Sequence, residues 1–353
     1  MRLGIIGSGV IVQEFLPHLV NIDNLDIIAI QGTQRSKDKT DELCKKYNIE
    51  YSLCDIDELL KLDIDTVYIA TPNNLHYSQT IKALNSGKNV IVEKPIASNI
   101  EEALEMVNLA KEKGLFLYEA ITTIYFEAYK KIEEWLKEIG DIRIIKFNYS
   151  QYSRRYDRFK SGEVLPAFSL DNSGGALMDL NIYNVYLLIA LFGEPKDVKY
   201  YPNIYRDIDT SGTLIMNYDG FVADATACKD CAGPFNFVIE GDKGYISLGF
   251  PPNVMGKVSL HLNDGTTKEY VDEYSSKRVI PEFMHFIKEI EVNNIEDSFN
   301  KMELALKVSK TITKARKDAG IIFPSDKWVI CFLVFFGVQS YLVDEEMRYG
   351  SRE

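Results

Sequence analysis

The N-terminal stretch RLGIIGSGVIVQEFL (Arg2–Leu16) decides the predicted fold. A short apolar run ends in glycines, and apolar side chains then recur at helical spacing, which predicts a strand, a tight turn and a helix. Gly7 and Gly9 match the first two positions of the dinucleotide-binding fingerprint, where they permit the turn and let a pyrophosphate approach the backbone. Val12 stands at the third position, where Gly or Ala is usual. A generic strand–helix turn is the alternative if this motif is taken alone.

Strands and helices alternate after this motif, up to about residue 120. Further strands are predicted at Asp26–Gln31, Asp65–Ala70, Asn89–Glu93 and Leu115–Tyr118. The intervening helices are predicted at Lys37–Tyr47, Ile56–Leu60, Tyr77–Ser86 and Ile100–Lys113. Such alternation indicates a parallel sheet with right-handed crossovers, and ligands of these sheets bind at the carboxyl ends of the strands. We therefore predict an α/β N-terminal Rossmann domain over residues 1–120.

From Asp141 onward the pattern changes to short strands joined by tight turns. These strands are predicted at Ile142–Tyr149, Asp197–Tyr201, Thr213–Tyr218, Val222–Cys228, Asn236–Glu240, Tyr245–Leu248, Lys257–Leu262 and Thr267–Val271. They predict an α+β C-terminal domain over residues 121–327, with a large, mostly antiparallel sheet that packs one face on the helix after Gly175. Helices at Glu282–Val292 and Ser298–Asp318 close this domain, and the last helix can pack back on the N-terminal domain.

Residues 328–353 form an atypical tail whose first part, Trp328–Val343, is apolar. A helix that spans a bilayer takes about 17–25 residues, so this run is at the short edge of that range. We interpret it as an added buried strand or helix, an interface element or a sequence artefact. A membrane-associated form is the alternative.

Composition bounds what the protein can do. The chain has 353 residues, more than one hydrophobic core usually serves, and a formal net charge of −12, which argues against nucleic-acid binding. Met1 leads directly into the first strand, so we expect no secretory signal. The five cysteines are scattered, which favours reduced thiols in a cytoplasmic protein. Cys228 and Cys231 form a lone CxxC pair without a second ligand pair nearby, so no metal site is predicted.

The end of the second strand bears on the choice between NADP and NAD. Enzymes that use NAD tend to carry Asp or Glu there, whereas this strand runs into Gly32–Ser36 without an acid. Arg35 can pair with a phosphate through two parallel hydrogen bonds, and Thr33 or Ser36 can add a hydroxyl. The segment therefore predicts a preference for NADP, with NAD still possible. The alternative is that Arg35 is a solvated loop residue.

Four stretches together resemble the Gfo/Idh/MocA oxidoreductase family, which includes glucose–fructose oxidoreductase and inositol dehydrogenase. They are GIIGSGVI (Gly4–Ile11), TPNNLHYSQTIKALNSGKNVIVEKPIA (Thr71–Ala97), SGGALMDLNIYNVYLLIALFGEP (Ser173–Pro195) and AGIIFPSD (Ala319–Asp326). The resemblance implies hydride transfer between a nicotinamide cofactor and a secondary alcohol of a sugar, polyol or cyclic diol. It also implies a homodimer or homotetramer formed through the C-terminal sheet.

The resemblance further implies where the functional residues lie. Gly7, Ser8, Gly9, Val10 and Ile11 would line the pyrophosphate turn; Thr71, Pro72, Asn73 and His76 would border the cofactor; Glu93 and Lys94 would lie beside the nicotinamide and its ribose. Lys94, Asp179 and Tyr183 would be the catalytic residues. A tyrosine at the last position is similar to the branch that contains dihydrodiol dehydrogenase. Asn181 departs from the Gly that the family usually has there.

Asp179 and Tyr183 are four residues apart, so on a helix they share one face. Oxidising an alcohol requires removal of the hydroxyl proton as hydride leaves the carbon. Free tyrosine has a pKa of about 10, and a neighbouring ammonium favours the phenolate. We therefore predict Tyr183 as general acid/base, Lys94 as electrostatic helper and ligand of the substrate hydroxyl, and Asp179 as the group that fixes Lys94 or a second hydroxyl. An ordinary core helix, with Asp179 stabilised by the helix dipole, is the alternative.

The segment Gln151–Lys160 is basic and aromatic in an otherwise acidic chain, so Arg155 and Tyr156 are candidate substrate residues, with a solvated loop as the alternative. Two other functions stay open from the sequence. One is a glycosidase that uses tightly held cofactor for transient oxidation. The other is a non-catalytic cofactor-binding regulatory protein.

Overall fold

A computed structural model of the protein describes residues 1–326, so the interpretation of residues 328–353 lies outside the described residues. The first part of the chain contains β1 (Arg2–Ile6), α1 (Val10–Leu19), β2 (Asp26–Gln31), α2 (Lys37–Tyr47), β3 (Tyr51–Leu53), α3 (Ile56–Leu60), β4 (Thr66–Ile69), α4 (His76–Asn85), β5 (Asn89–Glu93), α5 (Ile100–Lys113), β6 (Leu117–Ala120) and α6 (Glu127–Leu136). The second part contains β7 (Ile142–Ser150), α7 (Tyr156–Lys160), α8 (Ile182–Phe192), β8 (Asp197–Tyr205), β9 (Ile208–Asn217), β10 (Val222–Cys228), β11 (Asn236–Gly241), β12 (Gly244–Leu248), β13 (Lys257–Leu262), β14 (Thr267–Val271), α9 (Val279–Glu291) and α10 (Ile295–Asp318).

The first sheet is parallel and, within residues 1–326, has six strands in the order β3-β2-β1-β4-β5-β6. This is the order of a doubly wound dinucleotide-binding sheet, and the predicted Rossmann architecture is confirmed. The apolar runs of β1, β4 and β5 are almost fully buried, as expected for a sheet covered by helices on both faces. The sequence missed β3 because Tyr51–Leu53 is too short to show a period.

The second sheet is formed by residues 142–271 and has eight strands there, in the order β14-β13-β12-β11-β7-β10-β9-β8. Its pairs are antiparallel except for β7 with β10, so the mostly antiparallel sheet is also confirmed. All eight predicted strands are present. Strand β9 begins five residues before the prediction, because Arg206 and Asp207 both have positive φ and form a two-residue hairpin turn without glycine.

The inner face of the second sheet packs on the central helix. Residues 177–181 form a π-helical turn that leads directly into α8, and most of α8 is buried. The stretch Leu170–Phe192 is, among residues 1–326, the one helix long and apolar enough to cross a bilayer, but 72% of its most apolar window is buried inside the protein. This burial is that of a core element.

The last long helix, α10, joins the two halves of the fold. It contacts α5 and β6 on the side of the first sheet and α8 on the other. The Ser298 hydroxyl donates to the Leu117 carbonyl at 2.8 Å and accepts from the Leu117 amide at 3.0 Å, which ties the start of α10 to β6. The helices α6 and α7 were not predicted from the sequence.

Candidate active site

A cleft of about 370 Å³ lies at the carboxyl end of the first sheet, between that sheet and the second domain. Its lining residues from the first sheet and its loops are Gly9, Val10, Ile11, Glu14, Ala70, Thr71, Pro72, Asn73, Glu93 and Lys94. Its lining residues from the second domain are Arg155, Pro166, Ala167, Asn172, Gly174 and Asp179. The cleft therefore lies where a parallel sheet of this order binds its ligands.

Lys94 and Asp179 meet across this cleft. The Lys94 ammonium donates to the Asp179 backbone carbonyl at 2.8 Å and to its carboxylate Oδ1 at 3.1 Å. The same ammonium lies over the ring of Tyr183, 4.7 Å from its centroid. The three predicted catalytic side chains are thus brought together, and the contact between Lys94 and Tyr183 is a cation–π contact with the ring face.

A second ammonium, from Lys229, holds the other carboxylate oxygen of Asp179. The Lys229 side chain is 2% exposed, and its Nζ donates to Asp179 Oδ2 and to the Ala167 carbonyl, both at 2.7 Å. It also lies over the ring of Phe168 at 4.3 Å. Asp179 therefore carries one ammonium on each oxygen, which fixes the orientation of its carboxylate.

These contacts determine the charge states of the site. Burial alone would raise the pKa of Asp179, but the ammonium groups of Lys229 and Lys94 hold it well below its usual range. Burial alone would lower the pKa of Lys94, but the charges of Tyr183, Asp179 and Glu93 raise it well above its usual value. At neutral pH the site therefore holds a fixed carboxylate and a fixed ammonium, and neither exchanges protons readily.

Tyr183 is next to the cleft but is not among the residues that line it. Its side chain is buried, with 6% of the residue exposed, and the Lys94 ammonium that lies over its ring lines the cleft. The ring of Tyr149 is its neighbour at 6.3 Å between centroids. Within residues 1–326 the Tyr183 hydroxyl donates to no other side chain, so it differs from Tyr68 and Tyr186, whose hydroxyls donate to Glu93 and Glu119.

The predicted pyrophosphate turn has the shape that a dinucleotide needs. Gly7 has a φ of +114°, and a Cβ there would lie 2.3 Å from the Ala70 carbonyl oxygen, so only glycine fits. Gly9 faces open space, and no side chain caps α1 at this position. The first N–H groups of α1 are therefore available to an anion, and the residues present fit a bound pyrophosphate. Ser8 is buried beneath the turn.

A second cavity, of about 690 Å³, lies where β2 and β3 end. Gln31, Gln34, Asp55 and Gln79 are among its lining residues. Thr33 and Ser36 bind each other there, since the Thr33 amide donates to Ser36 Oγ at 2.9 Å. Arg35 is exposed beside them and makes no side-chain hydrogen bond or ion pair with another residue of the described chain. Its guanidinium is thus open to solvent near the end of β2.

The remaining predicted cofactor residues divide into cleft walls and supports. Thr71 and Asn73 line the cleft, and the Asn73 amide donates to the Ser173 carbonyl at 2.8 Å, which links the two domains. His76 is fully buried, with Nδ1 2.8 Å from the Pro95 carbonyl and Nε2 3.0 Å from that of Thr71. Burial lowers the pKa of His76, and a neutral ring carries a single N–H, so it donates to one of these two carbonyls and packs against the other.

The two candidate substrate residues differ in position. Arg155 is exposed, lines the cleft and, among the described residues, makes no side-chain hydrogen bond. Tyr156 belongs instead to an aromatic cluster with Phe159 and Phe168, with ring centroids 6.3 and 5.9 Å away. Because Phe168 lies against Lys229, this cluster packs against the lysine that holds Asp179.

Asn181, which departs from the family pattern, points away from the cleft. Its side-chain amide donates to the Ala225 carbonyl of β10 at 2.8 Å, and its Oδ1 accepts from the Asn184 amide at 2.8 Å. The side chain is fully buried between the central helix and the second sheet. The substitution of the usual glycine therefore adds no atoms to the cleft.

Sequence reasoning missed Lys229, Glu14 and Arg278. Lys229 continues the inward-facing series Ala223, Ala225 and Ala227 of β10, so the period of two placed it on the inner face. Glu14 lines the cleft and accepts from the Arg278 guanidinium at 2.9 Å, and Arg278 stacks over Phe15. No sequence signal linked Glu14 to a residue 264 positions away.

Fold and site together define a class. A doubly wound sheet with a glycine turn and an uncapped helix start, followed by a cleft that holds a fixed ammonium, a carboxylate and a tyrosine, is typical of a nicotinamide-dependent oxidoreductase. The profile described as an oxidoreductase family with an NAD-binding Rossmann fold matches residues 1–120, and the profile of the GFO/IDH/MocA C-terminal domain matches residues 129–247. The protein belongs to the Gfo/Idh/MocA oxidoreductase family, as the sequence motifs predicted.

Several relatives are similar over nearly the whole chain. The scyllo-inositol 2-dehydrogenase (NADP(+)) IolU of Bacillus subtilis is 35% identical over 331 residues, which cover 93% of this chain and 99% of that protein. The trans-1,2-dihydrobenzene-1,2-diol dehydrogenase of Mus musculus is 27% identical, with 93% and 99% covered.

Two solved structures share the fold. The 3-ketoreductase KijD10 from Actinomadura kijaniata, in complex with NADP and TDP-benzene, has a TM-score of 0.77 at 22% identity and covers 90% of this chain and 97% of its own. A levoglucosan dehydrogenase in complex with NADH and levoglucosan has a TM-score of 0.76 at 20% identity, with the same coverage.

Proposed function

We propose that the protein is an NADP-dependent oxidoreductase that transfers hydride between the nicotinamide and a secondary alcohol of a sugar, polyol or cyclic diol. The observation that carries the proposal is the contact of the Lys94 ammonium with Asp179 and with the ring of Tyr183 beside the glycine turn. The curated relative at 35% identity is named for NADP(+) and for a cyclic polyol, and the exposed Arg35 is suited to a 2′-phosphate. These observations support NADP over NAD.

The charge states of the site favour Tyr183 as the proton-transfer group. Asp179 is too weak a base, because two ammonium groups lower its pKa, and Lys94 stays protonated, because its pKa is raised. Tyr183 is the remaining member of the trio, and its hydroxyl makes no hydrogen bond to another described side chain. In the oxidation it takes the proton of the substrate hydroxyl, and in the reduction it returns that proton.

Lys94 has a separate role in this proposal. Its fixed ammonium donates to the substrate oxygen and stabilises the negative charge that develops there as the proton leaves. A bound oxidised nicotinamide would supply the hydride acceptor for the carbon that carries this oxygen. Asp179, held by Lys229, fixes the ammonium and can accept a hydrogen bond from a second substrate hydroxyl.

A substrate screen with matched variants tests this assignment. Sugars, polyols and cyclic diols are incubated with NADP or NAD, and the nicotinamide absorbance is followed. We expect turnover with NADP, and a fall in kcat of about 10²–10⁴-fold in Tyr183→Phe with unchanged cofactor affinity. Tyr149→Phe, which removes a hydroxyl from the neighbouring ring, is the matched control and should retain activity. If Tyr183→Phe stayed active while Tyr149→Phe lost activity, the role of Tyr183 would be rejected.

The same screen separates two other functions. Cleavage of a glycoside without a net change in absorbance would indicate a redox-mechanism glycosidase. Cofactor binding without turnover on any class of substrate would indicate a regulatory protein.

We also propose a homo-oligomer formed through the outer face of the second sheet. That face exposes Ile144, Tyr201 and Tyr245, which are 38%, 55% and 41% exposed, among polar residues. Light scattering of the wild-type chain and of Tyr201→Glu tests this, since the charge should lower the mass of the particle. A monomeric wild-type chain would contradict it.

A further inference from the structure

The turn that follows β10 gathers three metal-ligating side chains outside the cleft. Cys228, Asp230 and Cys231 place one donor atom each within 4.8 Å of one another, and both thiols are free. The sequence offered only the two cysteines as ligands. The fold adds the carboxylate of Asp230, which lies between them in the chain and reaches both.

Neighbouring side chains of this turn lie on opposite faces of the sheet. Lys229 continues the inward series of β10 and lies buried against Asp179, whereas Cys228 and Asp230 are partly exposed and Cys231 is exposed. The positive charge of Lys229 therefore lies on the inner side of the sheet, and the donors gather on the outer side. An ion can reach them from solvent through Cys231.

The Asp230 carboxylate is already oriented. Its Oδ2 accepts from the Thr210 hydroxyl at 2.7 Å and from the Ser211 hydroxyl at 2.9 Å, both at the start of β9. Such hydrogen bonds to a ligating carboxylate fix its orientation and strengthen metal binding. Among the described residues, no hydrogen-bond donor engages the other oxygen.

We propose that Cys228, Asp230 and Cys231 form a site for a thiophilic divalent cation, with Zn²⁺ the best match. Two thiolates and one carboxylate are a ligand set that Zn²⁺ accepts, and soft sulfur ligands select it over Mg²⁺ or Ca²⁺. The site offers three protein ligands, so water or a small anion completes the tetrahedron. Binding releases the two thiol protons to solvent.

This site has a structural link to the cleft. The Lys229 amide donates to the Thr210 carbonyl at 2.8 Å, and the Lys229 carbonyl accepts from the Ser153 amide at 2.9 Å. An ion held on both sides of Lys229 would therefore stiffen the turn that supplies the second ammonium of Asp179 and anchors the segment that contains Arg155.

Direct metal titration tests the proposal. The reduced, full-length chain is titrated with Zn²⁺ against a chromogenic chelator, and with Cd²⁺ to follow the thiolate-to-metal absorbance. We expect one ion per chain, and a higher Tm in the presence of Zn²⁺. The double variant Cys228→Ser, Cys231→Ser should lose both effects, and Cys54→Ser, a partly exposed cysteine elsewhere, should keep them.

Two further variants separate a built site from a bare pair of thiols. Thr210→Val, which removes a hydrogen-bond partner of Asp230, should weaken Zn²⁺ binding by about 10- to 100-fold, and Asp230→Asn, which changes the ligand itself, by at least as much. Zn²⁺ affinity unchanged in Asp230→Asn would overturn the three-ligand site. So would equal Zn²⁺ uptake by the reduced wild-type chain and the double-serine variant.

Discussion

Asp179 contacts two ammonium groups at the cleft. It is 35% exposed, and yet each of its oxygens contacts an ammonium, at 3.1 Å for Lys94 and 2.7 Å for Lys229. The two cations play different parts, because Lys94 lines the cleft and Lys229 is buried behind it. We therefore propose that Lys229 is a positioning residue, which would act on the substrate through Asp179.

Replacing Lys229 with methionine should separate positioning from binding. Without this ammonium the pKa of Asp179 rises towards its usual value, so the acid limb of the pH–kcat profile moves to higher pH while cofactor affinity stays constant. Stability should fall by about 2–3 kcal/mol, less than for a fully buried pair because Asp179 is partly exposed. Urea unfolding and a pH profile measure both effects. Lys257→Met, which breaks the exposed pair with Glu269 in the same sheet, is the control; an unshifted profile in Lys229→Met would refute the positioning role.

Arg35 carries the choice between the two dinucleotides. Arg35→Ala should raise the Kd for NADP by about 10- to 100-fold, since a hydrogen bond to a charged group contributes about 1.5–3 kcal/mol, and should leave the Kd for NAD nearly unchanged. Fluorescence titration with both cofactors measures this. Lys39→Ala removes a nearby positive charge from α2 and should affect neither; equal weakening of NADP and NAD by Arg35→Ala would remove the assignment.

At the residue scale, motifs made Lys94 and Asp179 predictable because each follows a recognisable pattern at the end of a strand or the start of a helix. Lys229 was not predicted, because its role depends on the parallel pairing of β10 with β7, which brings residues far apart in the chain beside the central helix. The buried contacts of His76 with two loops were equally invisible in the sequence.

The central helix is the element that delivers Asp179 and Tyr183, and its start is shaped by glycine. Gly175 has a φ of +109°, and a Cβ there would lie 2.0 Å from Asp209 Oδ1. Asp209 in turn accepts from the Leu177 amide at 2.7 Å and from the Tyr200 hydroxyl at 2.8 Å. The first turns are thus held by a buried carboxylate, and the widened π-turn that carries Asp179 follows directly.

Asn181 should matter to the stability of this element and not to its chemistry. Asn181→Ala removes the hydrogen bonds to Ala225 and Asn184, so the free energy of unfolding should fall by about 1–3 kcal/mol with kcat within about twofold of wild type. Urea unfolding and a steady-state assay measure the two quantities. Asn203→Ala, at a more exposed hydrogen bond to Ser211, should change stability by less than about 0.5 kcal/mol; a large loss of kcat in Asn181→Ala would show that the side chain serves catalysis.

At the element scale, long periodic segments were predicted well, as was the five-residue helix α3, whereas several other short or irregular elements were not. Helices α2 and α5 have the predicted bounds, because both are bounded by clear turn residues. Strand β3 and helix α7 have three and five residues, too few for a period, and the π-turn has no sequence pattern of its own.

A buried ion pair near the end of the described chain joins α10 to the first domain. Arg316 on α10 donates to both Asp326 oxygens, at 2.5 and 2.8 Å, and to the Ser98 carbonyl at 2.9 Å. This network joins α10 and the residues after it to the loop that follows β5.

Breaking this pair should destabilise the entire fold. Arg316→Met leaves Asp326 buried without its main partner and should lower the free energy of unfolding by about 3–5 kcal/mol. Burial raises the pKa of Asp326 and Arg316 lowers it, with a net lowering, so the pair contributes stability above the usual carboxyl pKa of about 3.9 and loses it as pH falls. Urea unfolding at pH 7 and pH 3 should show a smaller difference in unfolding free energy between variant and wild type at pH 3.

The control for Arg316→Met is Lys314→Met, at an exposed ion pair on the same helix. A loss of unfolding free energy in Arg316→Met that did not depend on pH would contradict this account.

The cleft has one wall from each domain, and this sets the order of events in a catalytic cycle. The glycine turn and Lys94 belong to the first wall, while Arg155 and Asp179 face them from the second. A dinucleotide bound at the first wall would leave the alcohol only the space between the two walls, so we expect the alcohol to bind last and its product to leave first. We expect an ordered kinetic mechanism. In it, the reduced cofactor inhibits competitively against the oxidised cofactor, and the carbonyl product inhibits noncompetitively against the oxidised cofactor.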